Sequence, residues 1–522
     1  MQRLLALTVA LSALAFSSAA SAAPVFFIWG KGWGHGIGMP QWGAYGYALH
    51  GRDYTWILDH YYRGTKRGTA SKTTIRVLLA AGRSSVTISS SRPWTIRDGR
   101  GRSWDLAAGG RTIGTDLRVR AEGKKRRLAP PVTLRGGGPL SVNGAPYRRS
   151  IVLRKRHGAL AVVNVLGLQP YLKGVVPEEM PSSWHPEALK VQAVAARSYA
   201  LASVRTGTYY DVEDGTNDQV YNGVAAEEPS TNAAVEATRN EIRTYGGRVA
   251  TTYFSSSSGG RTTASEDAWG GEAIPYLRSV YDRWDRISPH HRWGPIRYSR
   301  AALDAWLGGY VHGTLKDVVV HVNPSRRVER MVMDGTGGSS SLPGWDVRTV
   351  LGLKSAWFRV GVLNIVAGRD RIESGQRVTL RGKARSVGSA WLERRAPGGE
   401  WAKLRELELS DKARFVTTVA PRATRLYRVS SAKGSSGGVK VRVTAAVRFA
   451  RPADRSGLAG IVLPAGEGTT VAVQRRSGGT WRTVATGSTD AMGRFAVAFP
   501  LLDATYRAVA GGGVSPLLRV VG

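Results

Sequence analysis

The sequence predicts a β-rich α+β fold. One long helix interrupts a chain made mostly of short strands, and two small all-β, sandwich-like modules follow it. Three observations lead there. Runs such as "TTIRVLLA", "SSVTISS" and "SIVLRKRHGALAVVNVLG" alternate Val, Ile and Thr with polar residues between glycine turns, as antiparallel strands do. "HPEALKVQAVAARSYAL" combines a proline suited to the first helical position with helix-compatible apolar residues. "ERRAPGGEW" (Glu393–Trp401) recurs as "QRRSGGTW" (Gln474–Trp481), so Trp401 and Trp481 stand 80 residues apart. Arg414-Phe415 and Arg494-Phe495 keep that offset, the signature of a repeated unit.

In chain order, residues 1–22 read as a secretory signal: Arg3, an apolar run from Leu4 to Phe16, then small residues ending Ala20-Ser21-Ala22. The apolar run is too short for a stable membrane anchor, so the mature chain is expected outside the cell, in the wall or medium, with no anchor after cleavage. Residues 26–72 are rich in glycine and aromatics and contain "GWGHG". Residues 73–170 are the β-rich part. Residues 171–360 hold the long helix, further strands and the unusual polar loops. The β-sandwich-like modules are expected at 365–446 and 447–522, with each Gly-Gly forming a hairpin turn. They suit either wall binding or spacing.

Composition narrows the chemistry. There is no cysteine, so disulfides and thiolate catalysis are excluded. No histidine pair has metal-ligand spacing; neither a metal nor a cofactor is expected. No G-x-S-x-G elbow supports a serine hydrolase. Lys plus Arg number 74 against 38 acidic residues, a net charge of +36. Such a balance points to a polyanionic partner. Export argues against nucleic acid and for the carboxylates and phosphates of a bacterial wall. A generally arginine-rich composition is the alternative, because the basic residues are spread along the whole chain.

The functional residues cluster in four stretches. "VPEEMPSSWHPEALKVQAVAARSYAL" puts Glu178 and Glu179 before the helix. Adjacent glutamates point in different directions, so at most one faces a site. A carboxyl near Met180 and Trp184 is expected to have a raised pKa, which suits a general acid. Lys190 and Arg197 lie two turns apart, about 10 Å along the axis, on nearly one face. They either hold an anionic sugar or form a solvated face. "GKGWGHGIGMPQWGAYGYA" supplies His35 and aromatics among glycines, either to stack on sugar rings or to pack a tight turn. "YFSSSSGGRTTASEDAWGG" offers hydroxyls and backbone N–H groups at a strand end, or a plain surface loop.

Taken together, "GVVPEEMPSSWHPEALKVQAVAARSYAL", "DQVYNG", "SSSGGRT", "PYLRSV" and "GLKSAWF" resemble the stage II sporulation protein D / amidase-enhancer (SpoIID/LytB) family over roughly residues 30–360. "GWGHGIGMPQWGAYG" looks like the same family's glycine-histidine motif, here ahead of the helix. The resemblance implies a peptidoglycan lytic transglycosylase, a lyase cleaving MurNAc–GlcNAc β-1,4 bonds to 1,6-anhydroMurNAc ends. It implies Glu179, the glutamate of Glu-Met-Pro, as the catalytic acid/base. It implies substrate contacts from Lys190, Gln192, Arg197, Gln219, Tyr221, Ser258, Gly259, Gly260, Thr262 and His35. Glycan strands are the implied partner and a cell-wall amidase a possible second. The alternative is a non-catalytic wall-binding module that recruits or stimulates an N-acetylmuramoyl-L-alanine amidase. Some relatives carry cysteines near the Gln-Val-Tyr stretch; here Glu213, Asp214 and Asp218 stand instead, so no zinc site is expected.

Overall fold

The computed structural model describes residues 19–451, 456–464 and 466–521. Residues 1–18 of the expected signal segment lie outside the described residues. No helix among the described residues is long and apolar enough to cross a membrane.

A six-stranded antiparallel sheet ties residues 20–30 to strands between 293 and 419. Its order is Trp293–Ser299, Val25–Gly30, Phe358–Ala367, Val378–Arg385 and Arg414–Val419, with Ala20–Ser21 paired beside Phe358–Ala367. The strand "VFFIWG" is buried on both faces, and its residues alternate between two cores. Val25 and Phe27 pack with residues 363–441, whereas Phe26 and Ile28 pack with residues 293–362. The division expected at residue 365 therefore falls inside a strand, and the first β module shares its sheet with the N-terminal segment. This strand is not legible in the sequence, where the segment stands out only as glycine- and aromatic-rich: its apolar residues run on without alternation because both faces are buried.

Residues 73–170 form the expected short antiparallel strands. A seven-stranded sheet runs from Val212–Glu213 through Thr74–Arg83, Ala159–Gly167, Ser150–Arg156, Val132–Gly136 and Trp94–Arg97 to Ser103–Leu106. Val212–Glu213 joins it in parallel, which anchors the following loop to the sheet edge. In the last module, Thr470–Ser477 and Thr480–Ser488 pair across Gly478-Gly479, both with positive φ, as a two-residue hairpin needs. The repeat has a physical signature: Arg428 lies 4.3 Å from the Trp401 ring, and Arg507 lies 4.3 Å from Trp481.

The helix Pro186–Ala202 is wedged between two cores. Ala193, Ala196 and Ala200 face the large sheet; Ala188, Leu189, Val191, Val194 and Ala195 face the helices Gln41–Leu49 and Tyr54–Tyr61. Such a helix is apolar nearly all round, as burial on both sides requires. His185 caps it by accepting the Glu187 N–H at 3.2 Å. Its central placement fixes everything that precedes it.

Candidate active-site cleft

Glu179 ends a short helix, Val176–Glu179, rather than lying in an open loop. Met180 leaves that helix in an extended conformation and is fully buried. Anchoring the next side chain in the core turns Glu179 inward and leaves Glu178 exposed. Gln41, the first residue of its helix, donates from Nε2 to Glu179 Oε2 at 3.1 Å. Burial pushes the Glu179 carboxyl up to about 7; the Gln41 hydrogen bond pulls it down and nearby Glu178 raises it further. Such a group is present as both acid and carboxylate near neutral pH and can donate a proton and take one back.

The glycine-rich stretch frames this carboxyl. Gly32, Gly34, Gly36 and Gly38 all have positive φ, and the loop lies against residues 253–263 through bridges at Trp33–Ser257 and Ile37–Thr263. A Cβ on Gly38 would clash with the Tyr253 carbonyl. The close approach expected of these glycines is thus to a neighbouring strand. His35 is locked by the same packing: Nε2 donates to the Phe254 carbonyl at 3.0 Å, and Nδ1 accepts the Ile37 N–H at 3.0 Å. Burial lowers its pKa to about 4, so the ring stays neutral. With both nitrogens used, His35 forms cleft wall and has no free polar atom for a sugar.

A cleft of about 590 Å³ opens over Glu179. Tyr199 from the long helix, Tyr253 and Trp269 give it aromatic faces of the kind on which sugar rings stack. The loop 216–220 closes one side. There Asp218 accepts from Arg205 at 2.7 Å and from the Glu213 N–H at 2.7 Å. Gln219 accepts the Tyr171 hydroxyl proton at 3.1 Å, while its Nε2 has no partner among the described residues. The structure therefore brings together Glu179, His35 and Gln219 of the expected residues, and adds Gln41, Tyr199, Asp218 and Trp269.

The remaining expected contacts lie elsewhere. Arg197 is fully buried and donates to the Glu241 and Val235 carbonyls and to Gln169 at 2.9–3.2 Å. It joins the helix to its neighbours and cannot meet a substrate carboxylate. Lys190 pairs with Glu187 at 2.6 Å, one turn earlier on the helix exterior. The shared face inferred from spacing fails because Arg197 turns into the helix packing while Lys190 stays near the surface. Tyr221 is buried, with its hydroxyl on Asn164 at 2.8 Å. Gln192 is also fully buried, and neither amide atom has a partner among the described residues.

Ser258, Gly259, Gly260 and Thr262 form a bracket behind the cleft instead of its lining. Ser257 Oγ and the Ser258 and Gly259 N–H groups donate to Asp285. Ser258 Oγ and Tyr61 donate to Asp282, and Gly260 N–H donates to Ser258 Oγ. Thr262 Oγ1 accepts from Val280 N–H at 2.8 Å. Burial beside Asp285 raises the Asp282 pKa. The hydroxyl-rich turn satisfies two buried carboxylates, a partner set that local sequence does not reveal. Asp211 is buried and paired with Arg76 and Lys72, so it offers no free carboxylate. Asp214 accepts the Tyr221 N–H, and burial raises its pKa.

Residues 156–245, which contain Glu179, the long helix and the 216–220 loop, match the family described as stage II sporulation protein. An uncharacterised protein of Brachyspira hyodysenteriae (strain ATCC 49526 / WA1) is 42% identical over 254 residues, covering 48% of this chain and 66% of its own. An amidase enhancer of Bacillus subtilis (strain 168) is 46% identical over 133 residues, 26% of this chain and 17% of the relative. Stage II sporulation protein D of the same organism is 31% identical over 214 residues, 38% and 61%. The chain thus spans less than two thirds of each of these relatives.

Proposed function

Because this chain carries a domain of the stage II sporulation protein D / amidase-enhancer family, we propose that it is an exported peptidoglycan lytic transglycosylase with Glu179 as its single acid/base. The observation that carries this reading is a carboxyl raised to about 7 at the base of an aromatic-walled cleft. Protonated Glu179 donates to the glycosidic oxygen as the C1–O bond of MurNAc breaks. The C6 hydroxyl oxygen of the same MurNAc closes onto C1. Its proton passes to the Glu179 carboxylate, which is restored for the next cycle. No water is consumed, so no second carboxylate is required. A conventional glycosidase needs two, about 5–10 Å apart. Asp218 borders the cleft, but Arg205 and the Glu213 amide already occupy its Oδ2. Gln41 orients Glu179, and Tyr199 and Trp269 offer sugar platforms.

The similarity to an amidase enhancer favours a second reading, a wall-binding partner that stimulates an N-acetylmuramoyl-L-alanine amidase. The two readings separate in one experiment. Purified glycan strands, intact or stripped of stem peptides, are incubated with the protein alone. We expect 1,6-anhydroMurNAc products from at least one substrate, reduced about 10²–10⁴-fold by Glu179→Gln. No cleavage by the wild type, together with faster turnover of an added amidase, favours the second reading.

A further inference from the structure

A second cleft, of about 580 Å³, lies where the glycine-rich loop, the 292–294 and 322–326 segments and the first β module meet. Lys31, Arg292, Arg326, Arg359 and Lys433 line it, and no carboxylate does. Among the described residues none of these five cations forms an ion pair, although Arg and Lys elsewhere find Asp or Glu partners repeatedly. Indole rings lie between them: Lys31 is 5.0 Å from the Trp357 ring and Lys433 is 4.8 Å from Trp29. Burial first, then the charges of Arg292, Arg326 and Arg359, lower the Lys31 pKa against a smaller opposing pull from Asp285. Trp293 also lines the cleft, and its buried indole N–H has no acceptor among the described residues.

A net charge of +36 makes scattered unpaired cations ordinary. Convergence of five of them, from separate segments, on one tryptophan-lined cleft is not explained by composition. The repulsion is relieved by an anionic ligand. Three of the five are arginines, whose planar forks suit phosphate oxygens. The aromatic faces suit the C–H surface of a sugar. A phosphodiester repeat delivers several charges to a space of this size, where a carboxylated disaccharide repeat delivers few.

We propose that this cleft binds a phosphodiester-linked, sugar-bearing polymer. The site is separate from the Glu179 cleft but tethered to it. Lys31 and His35 lie four residues apart on one loop, a reach of about 14 Å at most. Polymer binding thus holds the glycan-cleaving cleft against the wall without taking part in the chemistry.

The test uses the full chain and titration calorimetry with a glycosylated polyribitol-phosphate oligomer. Comparison ligands are a peptide-free GlcNAc–MurNAc oligomer, polyglutamate and inorganic phosphate. Two variants, Arg326→Glu/Arg359→Glu and Arg359→Glu/Lys433→Glu, change side chains that form no ion pair among the described residues. We expect wild-type binding to the phosphodiester oligomer, weakened about tenfold or more in both variants. Melting temperature and cleavage of short glycans stay unchanged. Glu179→Gln keeps wild-type polymer affinity, so failure of the catalytic reading does not touch this one. Unchanged affinity in both variants overturns the proposal. Equal or tighter wild-type binding of polyglutamate or the carboxylated oligomer overturns the phosphodiester assignment, and binding of inorganic phosphate alone means no polymer site.

Discussion

At the scale of single residues, the proposed chemistry turns on one proton. Glu179 has a pKa of about 7 against an ordinary value of 4.5. Its folded form therefore binds the proton more tightly than its unfolded form. Its contribution to stability is greatest below about 4.5 and is lost as pH rises to about 7. Glu179→Gln should flatten that part of the stability–pH curve, measured by urea unfolding from pH 4 to 8. Catalysis by a protonated acid should fall on the alkaline side of about 7. Gln41→Leu removes the hydrogen bond that favours the carboxylate, so the alkaline limb of kcat/KM should move to higher pH; an unmoved limb excludes Gln41 as its modulator. The helix cations behave differently. Arg197→Ala removes three buried hydrogen bonds and should cost about 3 kcal/mol or more by chemical denaturation. Lys190→Ala breaks a partly exposed pair and should cost under about 1 kcal/mol. Sequence singled out Glu179 through the Glu-Met-Pro motif, and buried Met180 supplies the physical reason. It did not single out Gln41, because a glutamine 138 residues away carries no local mark of its partner.

At the scale of elements, the long helix was legible because its start is local: a proline at the first turn and an alanine-rich apolar run. The direction of Arg197 was not, because spacing gives a face but not which neighbour covers it. The glycine loop shows the same limit. Alternating glycines announced unusual backbone, while the identity of the approaching group, the segment 253–258 around the strand Phe254–Ser255, depended on tertiary pairing. Gly38→Ala is therefore expected to act on structure first. The residue has φ +68, and an added Cβ meets the Tyr253 carbonyl. The cost should be about 2 kcal/mol or more. Because Gln41 follows three residues later, activity should drop even where the protein stays folded. A thermal melt paired with glycan cleavage checks both; full stability and full activity together would falsify this role for the loop.

At the scale of the whole molecule, the repeat was visible in sequence, but the attachment of the first copy was not. Val25–Gly30 places alternate residues in two cores, so the N-terminal strand belongs to the first β module as much as to the residues that follow it. The second copy has its own core built from residues 445–520. A chain ending at Thr444 should stay folded and keep glycan cleavage, whereas one ending at Trp357 exposes Val25 and Phe27 and should be rapidly proteolysed. Limited trypsin digestion compares them directly. Whether one carboxyl suffices for the chemistry is decided by the fate of water. Glycan strands digested in ¹⁸O-labelled water, with products read by mass spectrometry, should end in 1,6-anhydroMurNAc without label, and only with Glu179 intact. Labelled reducing ends would contradict a single-carboxylate transglycosylase and require a hydrolytic partner for Glu179.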